Sequence, residues 1–216
     1  MYVPHHHEQT DLATLHTLIV AHPLGAWVTP GVDGLTANHV PFELDPARGP
    51  YGTLVCHVAR ANPVWHTFSK SVESIVLFQG ADHYVSPSWY PSKQAHGKVV
   101  PTWNYMVVHA YGMPRIVEDR DALLRHLTQL TDTHEHHRPT PWKVTDAPPE
   151  FVDQLLNAIV GIEIPIARLV GKWKLSQNRP EADRQGVAAG LRSLGTPESE
   201  TMAGWILGKT PPPTQP

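Results

Sequence analysis

One short segment of the chain combines side chains that suit an anionic ligand. It reads Cys56-His57-Val58-Ala59-Arg60-Ala61-Asn62-Pro63, so an arginine and an asparagine follow a strand-like run. Free backbone N–H groups at a helix entry, an arginine and the helix dipole would together favour a phosphate. An Asn-Pro helix cap with a surface arginine explains the same residues without a ligand and is the more common case. Both interpretations stay open from spacing alone.

Two further segments are rich in aromatic residues. Phe78 to Tyr90 places Tyr84, Trp89 and Tyr90 in a loop, where large rings are expected to cover a planar ligand, a partner subunit or the mouth of a barrel. Core capping and a dimer contact are together favoured over direct ligand stacking. Val100 to Tyr105 alternates aromatic and hydrogen-bonding side chains, so one face of that strand could line a pocket.

A basic segment near the end of the chain, Gly171 to Arg179, alternates in the manner of a strand. Lys172 and Lys174 are predicted to lie on one strand face and Trp173 on the other. A solvated edge strand explains the pattern as well as a contact with a phosphate or a DNA backbone does. The segment therefore predicts a strand without deciding its role.

The chain has 15 histidines, of which two groups are clustered, His5 to His7 and His134 to His137. Tetrahedral zinc needs three or four ligands held by fixed elements, which adjacent residues of a terminus or loop rarely provide. No metal site is predicted. The sequence also contains no GxGxxG, Walker loop, GxSxG or HExxH motif, and no helix-turn-helix is evident. Common nucleotide, hydrolase and DNA-binding sites are therefore disfavoured.

The elements that must position these residues are mostly strands. Alternating or β-branched runs separated by Gly, Pro and Asp predict strands over Ala26–Thr29, Leu35–Leu44, Gly52–Val58, Ser74–Gln79, Val99–Val117 and Ile162–Lys174. Leucine and isoleucine at helical spacing predict helices over Leu12–Ala21, Asp121–Thr133 and the segment from Phe151 to Ile159. The pattern is typical of a mainly antiparallel β-barrel with flanking helices, an α+β arrangement.

Length and composition bound the class of protein. A chain of 216 residues with 41% hydrophobic content can form one substantial core, which we expect over residues 1–195, followed by a Pro-rich, mobile tail over 196–216. The only cysteine is Cys56, and no signal peptide or membrane span is visible, so a cytoplasmic location is expected. A net charge of −3 gives no general attraction for nucleic acid.

Taken together, these segments closely resemble the PaiB family, known as FMN-binding negative transcriptional regulators. The similarity begins at Met1-Tyr2-Val3-Pro4 and runs in order to about Leu194. Its most distinctive parts are Ser86-Pro87-Ser88-Trp89-Tyr90, Pro101-Thr102-Trp103-Asn104-Tyr105 and Lys174-Leu175-Ser176-Gln177-Asn178-Arg179. The resemblance implies an FMN-binding split barrel that forms a homodimer with FMN at the subunit interface.

The resemblance also implies which residues contact FMN. Arg60 and Asn62 are the phosphate candidates, supported by His57 and the backbone of Val58 and Ala59. The strand that contains Asn38 and His39 is implied to run along the isoalloxazine and to bond its polar edge. Trp103, Asn104 and Lys172 are weaker candidates, contributed from the opposite subunit. His7 departs from the family pattern, because members commonly carry an aromatic residue there.

Three functions follow from this resemblance. The leading hypothesis is a repressor that responds to flavin and contacts DNA through a local basic patch, which we define as Arg168, Lys172, Lys174 and Arg179. The alternative is an FMN-dependent oxidoreductase, because the same fold serves enzymes. A third hypothesis is haem binding, with His57, His83 and His109 as candidate axial ligands. No catalytic residue is predicted.

Overall fold

A computed structural model describes residues 1–31 and 34–208 of the chain. Nine strands are present: β1 Glu8–Gln9, β2 Leu24–Gly31, β3 Gly34–Pro41, β4 Glu43–Asp45, β5 Thr53–Ala59, β6 Ser74–Val85, β7 Thr102–Gly112, β8 Arg115–Val117 and β9 Ile159–Lys174. Seven helices accompany them: α1 Leu12–Ala21, α2 Val64–Thr67, α3 Ser92–His96, α4 Arg120–Glu135, α5 Pro149–Asn157, α6 Glu181–Arg192 and α7 Pro197–Ile206. No helix in the described part of the chain is both long and apolar enough to cross a membrane.

The chain divides into two compact units that are each assembled from separate stretches of sequence. The first unit consists of Met1–His22, Phe78–His109 and the described residues from Val170 onward. The second unit consists of Pro23–Leu77 and Ala110–Leu169. The single domain expected over residues 1–195 stays a prediction.

The strands of the second unit pair in the antiparallel sense. β2 pairs with β3 from Leu24↔Pro41 to Gly31↔Gly34, and β2 also pairs with the start of β6. β5 pairs on one side with β4 and on the other with β9, which also pairs with β8. Alternation along β5 buries Leu54, Cys56 and Val58, which gives this unit its core together with residues of β2, β6 and β9.

Helix α4 packs on part of that sheet through a buried stripe that includes a histidine. Asp119 caps the helix by accepting from the Ala122 N–H at 2.8 Å, and Leu123 and His126, three residues apart, are buried. Gly161 of β9 makes room for this contact, since a Cβ there would lie 2.9 Å from Leu123 Cδ2. The side chains of α4 therefore approach the sheet closely at this point.

The first unit contains the later part of β6, most of β7 and the end of β9, in that order, with β1 paired to β9. Helix α1 starts where Asp11 accepts from the Thr14 N–H at 2.8 Å, and it buries Leu15, Leu18 and Ile19. Gly171 lacks the side chain that would collide with Leu15, whose Cδ2 lies 2.3 Å from an ideal Cβ. The helix can therefore lie close to the sheet.

The C-terminal region differs from the sequence-based expectation of a mobile tail beginning at residue 196. Residues 197–206 form α7, which begins with a capping box between Thr196 and Ser199 and buries Met202, Ala203 and Ile206. These apolar residues, spaced for a helix, give this segment enough buried surface to be ordered against α6. Residues 209–216 of the expected tail lie outside the described residues.

The other predicted elements agree closely with the structure. The helices expected over Leu12–Ala21, Asp121–Thr133 and the segment after Pro149 are confirmed as α1, α4 and α5. The predicted strands are confirmed as β2 to β9, although the block expected over Val99–Val117 is divided by a break at residues 113–114 into β7 and β8. Helix α6 was not predicted, and Trp89 packs on it.

Candidate functional site

The residues expected to hold a phosphate follow β5 in the second unit, where Arg60 already has protein partners. Its Nη1 donates to Glu118 Oε1 at 2.8 Å, its Nε to the Asn157 carbonyl at 2.9 Å and its Nη2 to the Ile159 carbonyl at 3.1 Å. Three of the five guanidinium N–H groups are thus used, and the charge is paired with a carboxylate. The side chain remains 39% exposed, so only its two other N–H groups are available to a ligand.

Asn62 acts as the cap that the Asn-Pro pattern also allowed. Its Oδ1 accepts from the Val64 N–H at 3.0 Å, at the start of α2. Its Nδ2 donates to Asn38 Oδ1 at 2.9 Å, which ties the start of α2 to β3. The interpretation of Asn62 as a helix cap is therefore confirmed. One N–H of its amide remains for a ligand.

The backbone beside these residues is also engaged. Val58 and Ala59 continue the ladder with β9, where they lie opposite Val160 and Ile159. The Arg60 N–H donates to the Ala158 carbonyl at 2.8 Å. Strand pairing therefore uses much of the backbone that had been expected to support a phosphate.

Among the expected ligand residues, Asn38 most clearly lacks a hydrogen-bond partner within the described residues. In the described part of the chain its Nδ2 is buried and has no acceptor, although its Oδ1 is bonded to Asn62. A buried donor without a partner costs about 1–3 kcal/mol, so a partner at this atom would be stabilising. The neighbours Leu35, Thr36, Ala37 and His39 of β3 are exposed on both strand faces. The strand therefore offers a surface that residues 1–31 and 34–208 leave exposed.

His57 belongs to a chain of hydrogen bonds that the sequence did not indicate. His57 Nδ1 lies 2.9 Å from His126 Nε2, and His126 Nδ1 bonds Glu43 Oε2. Because the carboxylate accepts from His126 Nδ1, the geometry fits His57 Nδ1 as a donor to His126 Nε2. Burial, and then the neighbouring His126, lower the pKa of His57 to about 4. His57 is therefore neutral at pH 7 and brings no positive charge to a phosphate.

Acid pH is expected to destabilise the protein through its buried histidines. The pKa of His57 and that of His109 are both lowered from 6.5 to about 4, chiefly by burial. The unfolded chain binds more protons than the folded chain between these values, so the free energy of unfolding falls as pH drops from about 6.5 towards 4. For His57 the loss is on the order of 2 kcal/mol once partial exposure is allowed for.

Urea unfolding at half-unit pH steps measures this dependence. His57→Gln should flatten the slope by about one proton between pH 6.5 and 4, whereas His5→Gln, which changes an exposed histidine, should leave it unchanged. A wild-type stability that does not vary over this window would contradict the lowered pKa values.

The weaker candidates Trp103, Asn104 and Lys172 lie in the first unit, and two of them are engaged in buried contacts. Asn104 is fully buried and its Nδ2 donates to Ser176 Oγ at 3.0 Å. Lys172 is buried and its Nζ donates to the Tyr2 carbonyl at 3.2 Å. Trp103 is about half exposed and its Nε1 donates to Asp82 Oδ1 at 2.8 Å. Of the three, only Trp103 presents a large surface to a ligand or partner.

The aromatic loop after β6 is explained mainly by packing within the first unit. The ring of Trp89 lies on α6 at Gly190, where an ideal Cβ would be 2.4 Å from the ring atoms. Tyr90 is buried beside Arg179, whose guanidinium carbon lies 5.0 Å from the ring centre. Core capping therefore accounts for these two rings, whereas Tyr84 is 44% exposed and makes an edge contact with Trp103.

The basic patch expected for DNA is largely committed to contacts within the protein. The Lys174 ammonium bonds Thr102 Oγ1 and the Trp103 carbonyl, and Lys172 is buried. Arg168 lies 3.6 Å from the ring centre of Tyr111 and 4.0 Å from Glu73. Of the two interpretations left open for this segment, the solvated edge strand does not fit, because Gly171 and Lys172 pair with β1 and residues 171–173 are buried.

The candidate haem ligands belong to two different units. His57 belongs to the second unit, whereas His83 and His109 belong to the first. His83 Nδ1 bonds the Tyr84 carbonyl at 2.7 Å, and His57 Nδ1 bonds His126. No observation favours any of the three as an axial ligand.

The chain matches a known family model and is similar to known proteins over most of its length. Residues 1–168 match the family model described as "Putative FMN-binding domain". The chain is 32% identical over 203 residues to the protease synthase and sporulation protein PAI 2 of Bacillus subtilis, covering 94% of this chain and 95% of that protein. It is 34% identical over 238 residues to the uncharacterised protein AN0679 of Emericella nidulans, with 94% and 95% coverage.

Solved structures share the fold at much lower identity. The FAD and haem binding protein of Mycobacterium smegmatis superposes with a TM-score of 0.57 at 16% identity, over 85% of this chain and 80% of that chain. The flavocytochrome Anf3 of Azotobacter vinelandii gives a TM-score of 0.52 at 15% identity, over 77% and 68%. The expected mainly antiparallel split-barrel fold with flanking helices is therefore confirmed.

Proposed function

Because the chain belongs to the PaiB family, whose members carry an FMN-binding domain, we propose that it is a cytoplasmic, homodimeric, FMN-holding negative regulator of transcription. The relative from Bacillus subtilis is named for protease synthesis and sporulation, which are cellular programmes rather than a reaction. A regulatory role is therefore favoured over an enzymatic one.

The observation that carries the flavin site is the buried amide nitrogen of Asn38, which has no acceptor in the described chain. The pyrimidine edge of an isoalloxazine offers carbonyl oxygens that suit such a donor. FMN when bound would supply a ring system that can accept and return electrons. In this proposal Asn38 and His39 orient the polar edge of the ring, and the exposed residues of β3 contact its face or a second subunit.

The residues after β5 have a supporting role in the proposed site. Asn62 donates a 2.9 Å hydrogen bond to the side-chain amide of Asn38, so it fixes the direction in which Asn38 Nδ2 points. Arg60 retains two N–H groups but is paired with Glu118, so it can bond a ligand oxygen without bringing an unpaired charge. These residues fit a flavin ring better than they fit a phosphate dianion.

We expect Asn38→Ala to weaken FMN binding roughly five- to tenfold, because it removes one hydrogen bond from a mostly buried donor. Quenching of flavin fluorescence on titration with the protein measures the Kd. Gln129→Ala, which truncates an exposed amide side chain on α4, is the control and should leave the Kd unchanged. An unchanged Kd for Asn38→Ala would remove Asn38 from the site.

The regulatory role is tested on purified protein with and without FMN. Light scattering should give twice the 24.0 kDa chain mass for the FMN-loaded form. Selection from genomic fragments of the source organism should recover a small set of sequences whose retention depends on FMN. A monomeric protein that retains no selected fragment but oxidises NAD(P)H with bound FMN would instead establish the oxidoreductase alternative.

A further inference from the structure

The first unit contains positive charge that no carboxylate neutralises. Lys172 and Lys174 lie two residues apart on β9, so their side chains leave the same face of the strand. Within residues 1–31 and 34–208, neither ammonium has a carboxylate oxygen within 4.0 Å. Their acceptors are neutral: the Tyr2 carbonyl for Lys172, and Thr102 Oγ1 and the Trp103 carbonyl for Lys174.

The nearest acidic side chain along the β1–β9 ladder does not neutralise these lysines. Glu8 of β1 is the residue opposite Lys172. Its carboxylate is about half exposed and lies 3.7 Å from His5 Nδ1 rather than beside the lysine. The aromatic ring of Tyr105, centred 5.3 Å from Lys172 Nζ, offers a weak attraction to the cation but no hydrogen-bond acceptor.

A third basic group completes the cluster. His7 is buried, and its Nδ1 bonds Gln177 Oε1 at 3.0 Å. The pKa of His7 is lowered, first by burial and also by the positive charges of Lys172 and Lys174. The pKa of Lys174 is likewise lowered by burial and by Lys172. These groups repel one another, which is the electrostatic condition that an incoming anion would relieve.

The backbone beside the cluster is held in an unusual conformation. Ser176 is the only non-glycine residue of the described chain with a positive φ, 61°. Its side chain is fixed by Asn104, and the next residue, Gln177, bonds both His7 and the Leu175 N–H at 2.7 Å. A left-handed backbone at a residue other than glycine is strained and tends to persist where surrounding contacts require it. The turn therefore rigidly positions the glutamine that contacts His7.

We propose that His7, Lys172 and Lys174 form an oxyanion site that binds a phosphate dianion or the phosphate of a phosphomonoester. The two ammonium groups supply the charge and the N–H donors that such a group requires, and protonation of His7 on anion binding would add a further N–H. Lys172 retains two ammonium N–H groups beyond its bond to the Tyr2 carbonyl. The site goes beyond the proposed flavin-ring contacts on β3, because it needs no flavin and uses the Gly171–Arg179 segment that those contacts leave unexplained.

Inorganic phosphate is the probe for the site itself. At about 10 mM phosphate the Tm of the full-length protein should rise by roughly 4 °C relative to sodium chloride of equal ionic strength. Lys172→Met and Lys174→Met should each weaken phosphate binding about tenfold, measured by calorimetric titration. Lys93→Met changes an exposed lysine of the same unit by the same charge and should have no effect.

A misfolded variant is distinguished by its stability without phosphate. Removing an unpaired buried ammonium should leave the Tm unchanged or raise it, so a folded Lys172→Met protein that has lost only its response to phosphate supports the site. The NMR titration of His7 gives a second measurement, because bound phosphate should raise its pKa in the wild type. Equal phosphate responses in the wild type and both lysine variants, with no change at His7, would overturn the proposal.

Competition identifies the source of the phosphate. If FMN displaces inorganic phosphate and riboflavin does not, the site holds the phosphate end of FMN. If phosphate binds equally in the presence of saturating FMN, the site takes a separate phosphorylated molecule. Both outcomes support the oxyanion site, and both stay informative if Asn38→Ala shows that the proposed flavin-ring contact is wrong.

Discussion

Gly190→Ala is expected to lower the free energy of unfolding by about 2 kcal/mol, although the same change in an open helix usually raises it by about 1 kcal/mol. The reason is the ring of Trp89, which lies directly on the backbone of α6. A Cβ at residue 190 would stand 2.4 Å from Cγ and Cδ2 of that ring. Either the ring or the helix must move, and chemical denaturation measures the cost.

Two comparisons separate this steric effect from helix propensity. Ala189→Gly changes the exposed neighbour in α6 and should cost only about 1 kcal/mol, the ordinary propensity term. In a Trp89→Ala background, Gly190→Ala should become neutral or stabilising, because the ring that causes the collision is absent. If Gly190→Ala stabilises the protein with Trp89 in place, the packing of this loop on α6 is not as described.

His126→Leu is expected to cost about 3 kcal/mol, the second large effect. His126 is the middle member of the hydrogen-bonded chain from Glu43 to His57 and lies on the buried face of α4. The Oε1 atom of Glu43 already lacks a partner within the described residues, so loss of the imidazole would leave both carboxylate oxygens without one. A buried acid that loses its only partner is strongly destabilising. Equilibrium unfolding in urea at pH 7 gives the value.

The double variant Glu43→Leu/His126→Leu tests whether the two side chains are energetically coupled. Replacing both partners by apolar groups removes the unpaired acid, so the double variant should be more stable than His126→Leu alone. Leu127→Ala, in the same helix, reports the cost of simple truncation at α4. Strictly additive losses at Glu43 and His126 would show that the two side chains are not coupled.

Periodicity predicted the parts of the fold in which a single apolar face decides the structure. The leucine spacing of α4 and the alternation along β5 are examples, because in each element one face is more deeply buried than the other. Helix α6 was missed for a physical reason. It contains Gly186 and Gly190, which weaken helix propensity, and these glycines are needed because Trp89 packs closely on both. Sequence spacing does not show that distant requirement.

The candidate site shows the same limit. The family resemblance selected Arg60 and Asn62, which follow β5, but it did not show the protein groups that bind them. The three partners of Arg60 lie 58 to 99 residues away along the chain. Similarly, His126 appeared to be one polar residue in a leucine-rich helix, and only the fold brings it to His57 and Glu43. Long-range pairing decides which donors remain for a ligand.

The rate at which the single cysteine is alkylated can report how often the sheet opens. Cys56 is fully buried in β5, and burial raises the pKa of its thiol well above the ordinary range. The native thiol is therefore both shielded and protonated, whereas alkylating reagents need an accessible thiolate. When reclosing is fast, the labelling rate reports how often the strands around β5 separate. Mass spectrometry of the unmodified chain can therefore rank ligands by how strongly each one suppresses that opening.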